Sequence, residues 1–234
     1  MSHYWRKPIQ AVSRKANAMS KTVECFYTLS SPWMYLGGKQ LNEIIKRHGA
    51  TLVLRPFDFR LVVPHTGGIP LRTRPEPRQD YHALELDRWA LHLGIPIKLK
   101  PKHYPPSDQR QAGHMVMAAA ARGMDAMRLS HALLTALWLE DRDIADPHIR
   151  VAIAEEQGMP GESLHREEES ASIQAEFDRN NQDAIARGVF GAPTYVCDDL
   201  FLWGQDRLFF LDKYLGGQPV QSGAVKAIAK TRAR

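Results

Sequence analysis

The sequence predicts an α/β fold interrupted by an all-α insertion, and three observations predict it. A strand-like run from Val23 to Leu29 passes through Ser31-Pro32 into a helical pattern and on to a second strand-like run at Thr51. From about residue 107 to residue 187 every apolar pattern is helical. Strand-like character then returns at Thr194 and ends at Trp203.

Each element has a local reason. Ser31 caps the first helix, and Pro32 suits the first helical position, where a missing N–H costs nothing. Leu41, Ile44 and Ile45 follow at helical spacing, and Gly49 is the stop. Thr51-Leu52-Val53-Leu54-Arg55-Pro56-Phe57 reads as a second buried strand, which completes a βαβ unit with a right-handed crossover. Residues 58–80 are rich in Pro and Gly and read as a long irregular loop. A helix from about Gln79 to Leu93 places Leu86, Trp89, Ala90 and Leu93 on one face, and Gly94 and Pro96 end it.

Within the helical block, Leu134, Leu137 and Trp138 form one stripe. Ile149, Ala152 and Ile153 form a second, opened by Asp146-Pro147 and closed by Gly158. Ile173 and Phe177 begin a third, which Gly188 ends. Thr194-Tyr195-Val196-Cys197, a turn at Asp198-Asp199 and Leu200-Phe201-Leu202-Trp203 read as a β-hairpin, and a last helix covers roughly Asp206 to Leu215. The expected division is an α/β frame at 22–78 and 188–217, a helical insertion at 79–187, a disordered basic leader at 1–21 and a basic tail at 218–234. Met19 stands just ahead of the first strand, so residues 1–18 are expected to be a leader or an extension that the natural protein does not use.

The chain's 234 residues suffice to bury roughly 70% of the unfolded surface, so no metal or disulfide staple is required. Cys25 and Cys197 sit far apart in apolar runs and form no C-x-x-C pair, which reads as two buried thiols in a reducing compartment. The formal charge of +5 comes from the ends: residues 1–21 and 218–234 hold nine basic residues and no acid. The segment between carries 22 basic against 26 acidic residues, a formal charge of −4, so no nucleic-acid partner is expected. No run approaches the ~20 apolar residues of a membrane span, and none near the start resembles a secretory signal. A soluble, cytoplasmic protein without a membrane partner is expected. Ten histidines show no H-x-x-x-H or Cys-rich spacing, so no metal site is expected. Glu167-Glu168-Glu169 reads as a solvated helix face. Trp89, Trp138 and Trp203 read as core, whereas Trp33 lies on an exposed turn where a substrate can reach it.

Chemistry concentrates where the first strand meets the first helix. Ser31-Pro32-Trp33-Met34 occupies the turn that thioredoxin-like redox proteins fill with C-P-x-C. Without an attacking and a resolving thiol that turn does not run disulfide exchange. Nor is Ser31 a ready nucleophile, since no His or Asp lies nearby in sequence to act as its base. A hydroxyl at a helix N-terminus does, however, donate a hydrogen bond to an anion, such as a thiolate brought by another molecule. The other reading, in which Ser31 is only an N-cap, stays open at this point.

Three further segments narrow the reading: Gly188-Val189-Phe190-Gly191-Ala192-Pro193-Thr194-Tyr195, Trp203-Gly204-Gln205-Asp206-Arg207, and Arg78-Gln79-Asp80-Tyr81 with Glu85-Leu86 and Arg88-Trp89. Together with the Ser31 turn, and over about residues 22–217, they resemble the kappa-class glutathione transferase and 2-hydroxychromene-2-carboxylate isomerase family, related to the DsbA-like oxidoreductases. The resemblance implies a thioredoxin-like fold with a helical insertion and glutathione as cofactor. Ser31 matches the serine facing the glutathione thiol, and Pro32 and Trp33 complete that turn. Ala192 precedes Pro193, which matches a cis-proline, so the Ala192 backbone is expected to pair with glutathione as an added strand does. Gln205 and Asp206 match the pair that holds the γ-glutamyl end, and Arg78 stands where relatives place a basic residue near the glycine carboxylate. Gly68 departs from the pattern, since some relatives carry an asparagine there.

The activity implied is glutathione-dependent isomerisation of small aromatic acids of the 2-hydroxychromene-2-carboxylate type. Two rivals stay open: a kappa-like transferase that conjugates electrophiles, and a non-catalytic module that pairs extended peptides with the cis-proline edge. Relatives are commonly dimers, which makes a homodimer the assembly to test.

Overall fold

Strand β1 (Thr22–Tyr27) is the spine of a four-stranded sheet, with β2 (Thr51–Pro56) on one side, β3 (Thr194–Cys197) on the other and β4 (Leu200–Trp203) at the far edge. The computed structural model describes residues 20–222, so the expected leader and tail lie outside the described residues apart from residues 20, 21 and 218–222. β1 and β2 run parallel, Thr22 opposite Thr51 and Tyr27 opposite Pro56, joined by helix α1 (Pro32–His48). β3 runs antiparallel to β1, with Phe26 opposite Thr194, and turns through Asp198, at a positive φ, into β4.

Consecutive burial of Cys25, Phe26 and Tyr27 shows that both sheet faces are covered. Cys25 and Tyr27 join the large core with α1, α4 (Arg110–Ala121) and α5 (Ala126–Trp138). Phe26 enters a smaller one with Val62, Val63, Ala184 and Val189 on the other face. The local signals at α1 act as expected. Ser31 Oγ accepts the Met34 N–H, Pro32 opens the helix, and Gly49 closes it at φ 60° with its N–H on the Ile45 and Lys46 carbonyls. The thioredoxin-like sheet and the helices lying between β2 and β3 in the chain match the expected fold class.

Residues 58–80 are not an irregular loop. They hold α2 (Phe59–His65), a 3-10 turn at Leu71–Thr73 and the start of α3 (Glu76–Leu93). Asp58 caps α2 by accepting the Arg60 and Leu61 N–H groups, and burial of Val62 and Val63 anchors it. Pro64 falls in its closing turn and Pro77 in the opening turn of α3, places where proline is tolerated.

The largest departure lies in the insertion. α6 (Pro147–Glu156) buries Arg150, Val151, Ile153 and Ala154, not the stripe of Ile149, Ala152 and Ile153. Arg150 is drawn inward by Glu168, the last residue of α7 (Gly161–Glu168), which is 0% exposed and so does not lie on a solvated face. The guanidinium binds both Glu168 oxygens and donates to the Ile144 and Ala145 carbonyls at 3.1 and 2.9 Å. His165 Nδ1 lies 2.8 Å from the same carboxylate. α8 (Ala171–Arg187) follows, capped by Ser170 and closed, as expected, by Gly188. A 3-10 turn (Gln205–Arg207) and α9 (Leu208–Leu215) complete the described chain. Among the described residues no helix is long and apolar enough to cross a membrane.

Candidate functional site

The Ser31 turn is closed by the Ser31 N–H on the Thr28 carbonyl at 3.1 Å, which presents the first turn of α1 to the end of β3. The Ser31 hydroxyl accepts from Met34 N at 3.2 Å and donates its one hydrogen to the Ala192 carbonyl at 3.3 Å. A neutral bond this long is readily exchanged for a shorter, charge-assisted one to an anion. The Ala192-Pro193 peptide is cis, as expected.

The loop before it is tightly held. Thr194 Oγ1 donates to the Gly191 carbonyl at 2.8 Å. Trp203 lies across Gly191 so closely that a Cβ there would come within 2.2 Å of its Nε1. Trp203 is therefore not core: at the end of an edge strand it is 49% exposed, with its ring edge-on to Phe190.

The third segment is tied to the second by Gly204 N–H, which donates to the Pro193 carbonyl at 2.9 Å. Gly204 has φ 100°, and a Cβ there would meet Asp206 Oδ1 at 2.5 Å, so only glycine serves. Gln205 is 2% exposed and packs on Gly37 of α1, whose own Cβ would come within 2.6 Å of it. Neither the oxygen nor the nitrogen of its amide has a partner among the described residues. Buried amides without partners are costly. Asp206 is half-buried and pairs with Arg207 at 3.3 Å. Thus Ser31, Pro32, Ala192, Pro193, Gln205 and Asp206 are brought together.

Trp33 turns toward α3. Its Nε1–H donates to His82 Nε2 at 3.1 Å, with the two rings nearly perpendicular and 5.4 Å apart. Arg78 lies on α3 one turn before His82, exposed, with no hydrogen bond to the Ser31 turn among the described residues. Arg74, just ahead of α3, is half-buried and fixed by its Nε–H on the Ile69 carbonyl at 2.8 Å. His82 and Arg74 are the residues that sequence reasoning missed. The helical spacing of His82 from Arg78 was the available signal.

Burial, reinforced by the Arg74 charge, pushes His82 down to about 4. Burial also lowers His114 and His131. The folded protein then binds fewer protons than the unfolded chain below the ordinary histidine range. Stability is full above about pH 6.5 and falls as the pH drops toward about 4. The thermal midpoint is expected to decline across that window, and less steeply in His82→Gln; a level profile would contradict the assignment.

Gly68 bears on the missing asparagine. A Cβ there would lie 2.3 Å from Val63 Cγ1 and 2.6 Å from the Phe190 carbonyl. Thr66 Oγ1 clamps the same loop to the Val189 carbonyl at 2.7 Å. Gly68→Ala is therefore expected to cost about 1–3 kcal/mol through overpacking. Unchanged urea unfolding in that variant would refute the close approach.

The turn itself holds no thiol. Cys25, behind it, is fully buried, and burial pushes its thiol far up. Its S–H faces Met34 Sδ at 3.9 Å. Both cysteines are free and buried, as expected.

The DSBA-like thioredoxin domain family matches residues 22–216. A 2-hydroxychromene-2-carboxylate isomerase of Sphingobium xenophagum is 31% identical over 202 residues, 84% of this chain and 99% of that protein. Human glutathione S-transferase kappa 1 is 27% identical over 214 residues, 85% of this chain and 92% of that protein. Among solved structures, a 2-hydroxychromene-2-carboxylate isomerase superimposes with a TM-score of 0.71 at 25% identity, covering 84% of this chain and 95% of that one.

Proposed function

Because the chain belongs to the DSBA-like thioredoxin family, in the branch of the 2-hydroxychromene-2-carboxylate isomerases and kappa-class glutathione transferases, we propose that it is a glutathione-dependent isomerase of 2-hydroxychromene-2-carboxylate-like aromatic acids. The observation that carries this is the buried Gln205 amide, unpartnered at both atoms among the described residues and next in the chain to Gly204, whose N–H holds the Pro193 carbonyl. An amide donor and acceptor next to the Asp206 carboxylate suit the ammonium and carboxylate of a γ-glutamyl end.

The residues divide the work by chemistry. Ser31 donates to the thiol sulfur and, with the N-terminus of α1, favours its anionic form. Bound glutathione supplies that thiolate as a nucleophile toward an electron-poor carbon. The Ala192 backbone, held by its cis neighbour Pro193, offers a strand-like edge to the tripeptide backbone. Arg78 supplies the cation for the glycine carboxylate, and Pro32 and Trp33 wall the turn. Isomerisation adds no atom to the substrate, so the C–S bond formed by the thiolate must break again and return free glutathione, while the chain binds, orients and holds charge.

Gln205→Leu separates the roles of that residue. Removing a buried, unpartnered amide is expected to leave stability unchanged or raise it by about 1–3 kcal/mol, while glutathione affinity falls by about tenfold or more. Calorimetric titration and urea unfolding measure the two effects; a destabilised variant with undiminished affinity would overturn the assignment. The likeness to the kappa transferase supports a second reading, in which the thiolate adds and stays. Mass analysis of turnover products decides, since a conjugate means transfer and an isomer of the substrate means isomerisation.

A further inference from the structure

The surroundings of Trp33 contain more than glutathione requires. Trp33 Nε1–H occupies His82 Nε2, so the neutral ring carries its hydrogen on Nδ1. That N–H has no protein partner among the described residues, and Nδ1 is not among their buried unpartnered atoms, which leaves it accessible as a donor. Arg74 stands by the same helix end. Its Nε is spent on the Ile69 carbonyl and its own carbonyl is held by Gln79 Nε2 at 2.7 Å, so the guanidinium is fixed with its two terminal nitrogens free of hydrogen bonds among the described residues. Neither Arg74 nor Arg78 has a carboxylate within ion-pairing distance among the described residues. Arg88, one helix turn and a half beyond His82, pairs with Glu85, and Arg110 pairs with Asp108. Two neighbouring guanidinium groups with no anion between them repel each other, and burial of Arg74 adds to that cost. An arrangement of this kind suits two bound carboxylates rather than one.

We propose that Arg74 and His82 form the acceptor subsite beside the Ser31 turn. Arg74 and His82 Nδ1–H bind the carboxylate of a planar aromatic acid, and Trp33, fixed in orientation by His82, gives the face on which the ring lies. Arg78 remains for the second carboxylate, that of the tripeptide. His82 is thus a specificity-determining residue that works through a fixed tautomer. The inference rests on the function proposed above for the identity of the acid, but its chemistry does not involve the thiol.

The test therefore uses 2-hydroxycinnamate as probe, without glutathione, on the full chain. Calorimetry is expected to show that His82→Phe and Arg74→Gln each weaken 2-hydroxycinnamate by about tenfold or more. His82→Gln, whose amide both accepts from Trp33 and donates, is expected to recover binding to within about threefold. Glutathione affinity, titrated separately, is expected to stay within about twofold in all three variants. Nitrogen NMR of the wild type is expected to place the His82 hydrogen on Nδ1.

Unchanged 2-hydroxycinnamate affinity in His82→Phe and Arg74→Gln overturns the proposal. So does equal loss of both ligands, which would assign the cluster to the tripeptide, and so does no measurable binding of the probe by the wild type. Probe binding that depends on His82 in a protein that ignores glutathione would sustain the subsite while removing the proposed function.

Discussion

Ser31→Ala is expected to lower turnover by about 10- to 100-fold while changing glutathione affinity far less, because a hydrogen bond to a charged group is worth about 1.5–3 kcal/mol. The Ser31 hydroxyl has a single hydrogen, which in this structure goes to the Ala192 carbonyl at 3.3 Å. A thiolate is the better acceptor, and the bond to it favours the ionised form of a thiol whose ordinary pKa lies above neutrality. Without the hydroxyl the N-terminus of α1 still favours the anion, by about 0.3–1 kcal/mol, so the variant retains residual activity. The direct measurement is the ultraviolet absorption of thiolate when glutathione is added at neutral pH. It should be evident in the wild type, reduced in Ser31→Ala and retained in Ser31→Thr. The same substitution removes the cap on Met34 N and costs about 1 kcal/mol of stability, so kinetics belong well below the thermal midpoint. Equal thiolate absorption in wild type and Ser31→Ala would leave Ser31 as no more than a helix cap.

Arg150→Ala is expected to be the most destabilising single substitution in the insertion, by about 3–5 kcal/mol, a large share of the 5–15 kcal/mol typical of a folded domain. Arg150 is 2% exposed and binds Glu168 as well as two carbonyls at the N-terminal approach to α6. Its loss leaves a carboxylate stranded in the interior without its guanidinium, with His165 beside it. Replacing both partners at once, as in Arg150→Met with Glu168→Leu, should cost less than Arg150→Ala alone, since no charge is then left unpaired. Urea unfolding of the two variants compares them. A double variant less stable than the single one would mean that the pair contributes more than mutual neutralisation.

These two cases mark what was and was not legible in the residues. Caps are local: Ser31, Pro32 and Gly49 around α1, Asp146 and Pro147 at the start of α6, and Gly188 after α8 all act within a few residues of themselves, and all are where the spacing places them. The burial of Glu168 is not local. It depends on Arg150, eighteen residues earlier and on another helix, so a run of three glutamates looks solvated until the partner is known. α2 was hidden for a different reason, since Pro64 and the glycines after it resemble a loop and only the burial of Val62 and Val63 reveals a helix. Within the site, the turn motifs locate Ser31, Ala192, Pro193 and Gln205 because each segment carries its own backbone signature. His82 has no such signature. Its significance comes from Trp33, on another helix, and Trp203 is likewise exposed only because β4 has no neighbour beyond it.

The sulfur atoms of Cys25 and Met34, 3.9 Å apart beneath the turn, bear on attempts to graft oxidoreductase behaviour onto this scaffold. Writing Cys-Pro-Trp-Cys across positions 31–34 would put a new sulfur at the Cγ position of residue 34, on the side chain that now meets Cys25, so a third thiol lies behind the redesigned pair. Such a redesign needs Cys25→Val or Cys25→Ala first, and without it a mixture of crosslinked forms is the outcome to plan for.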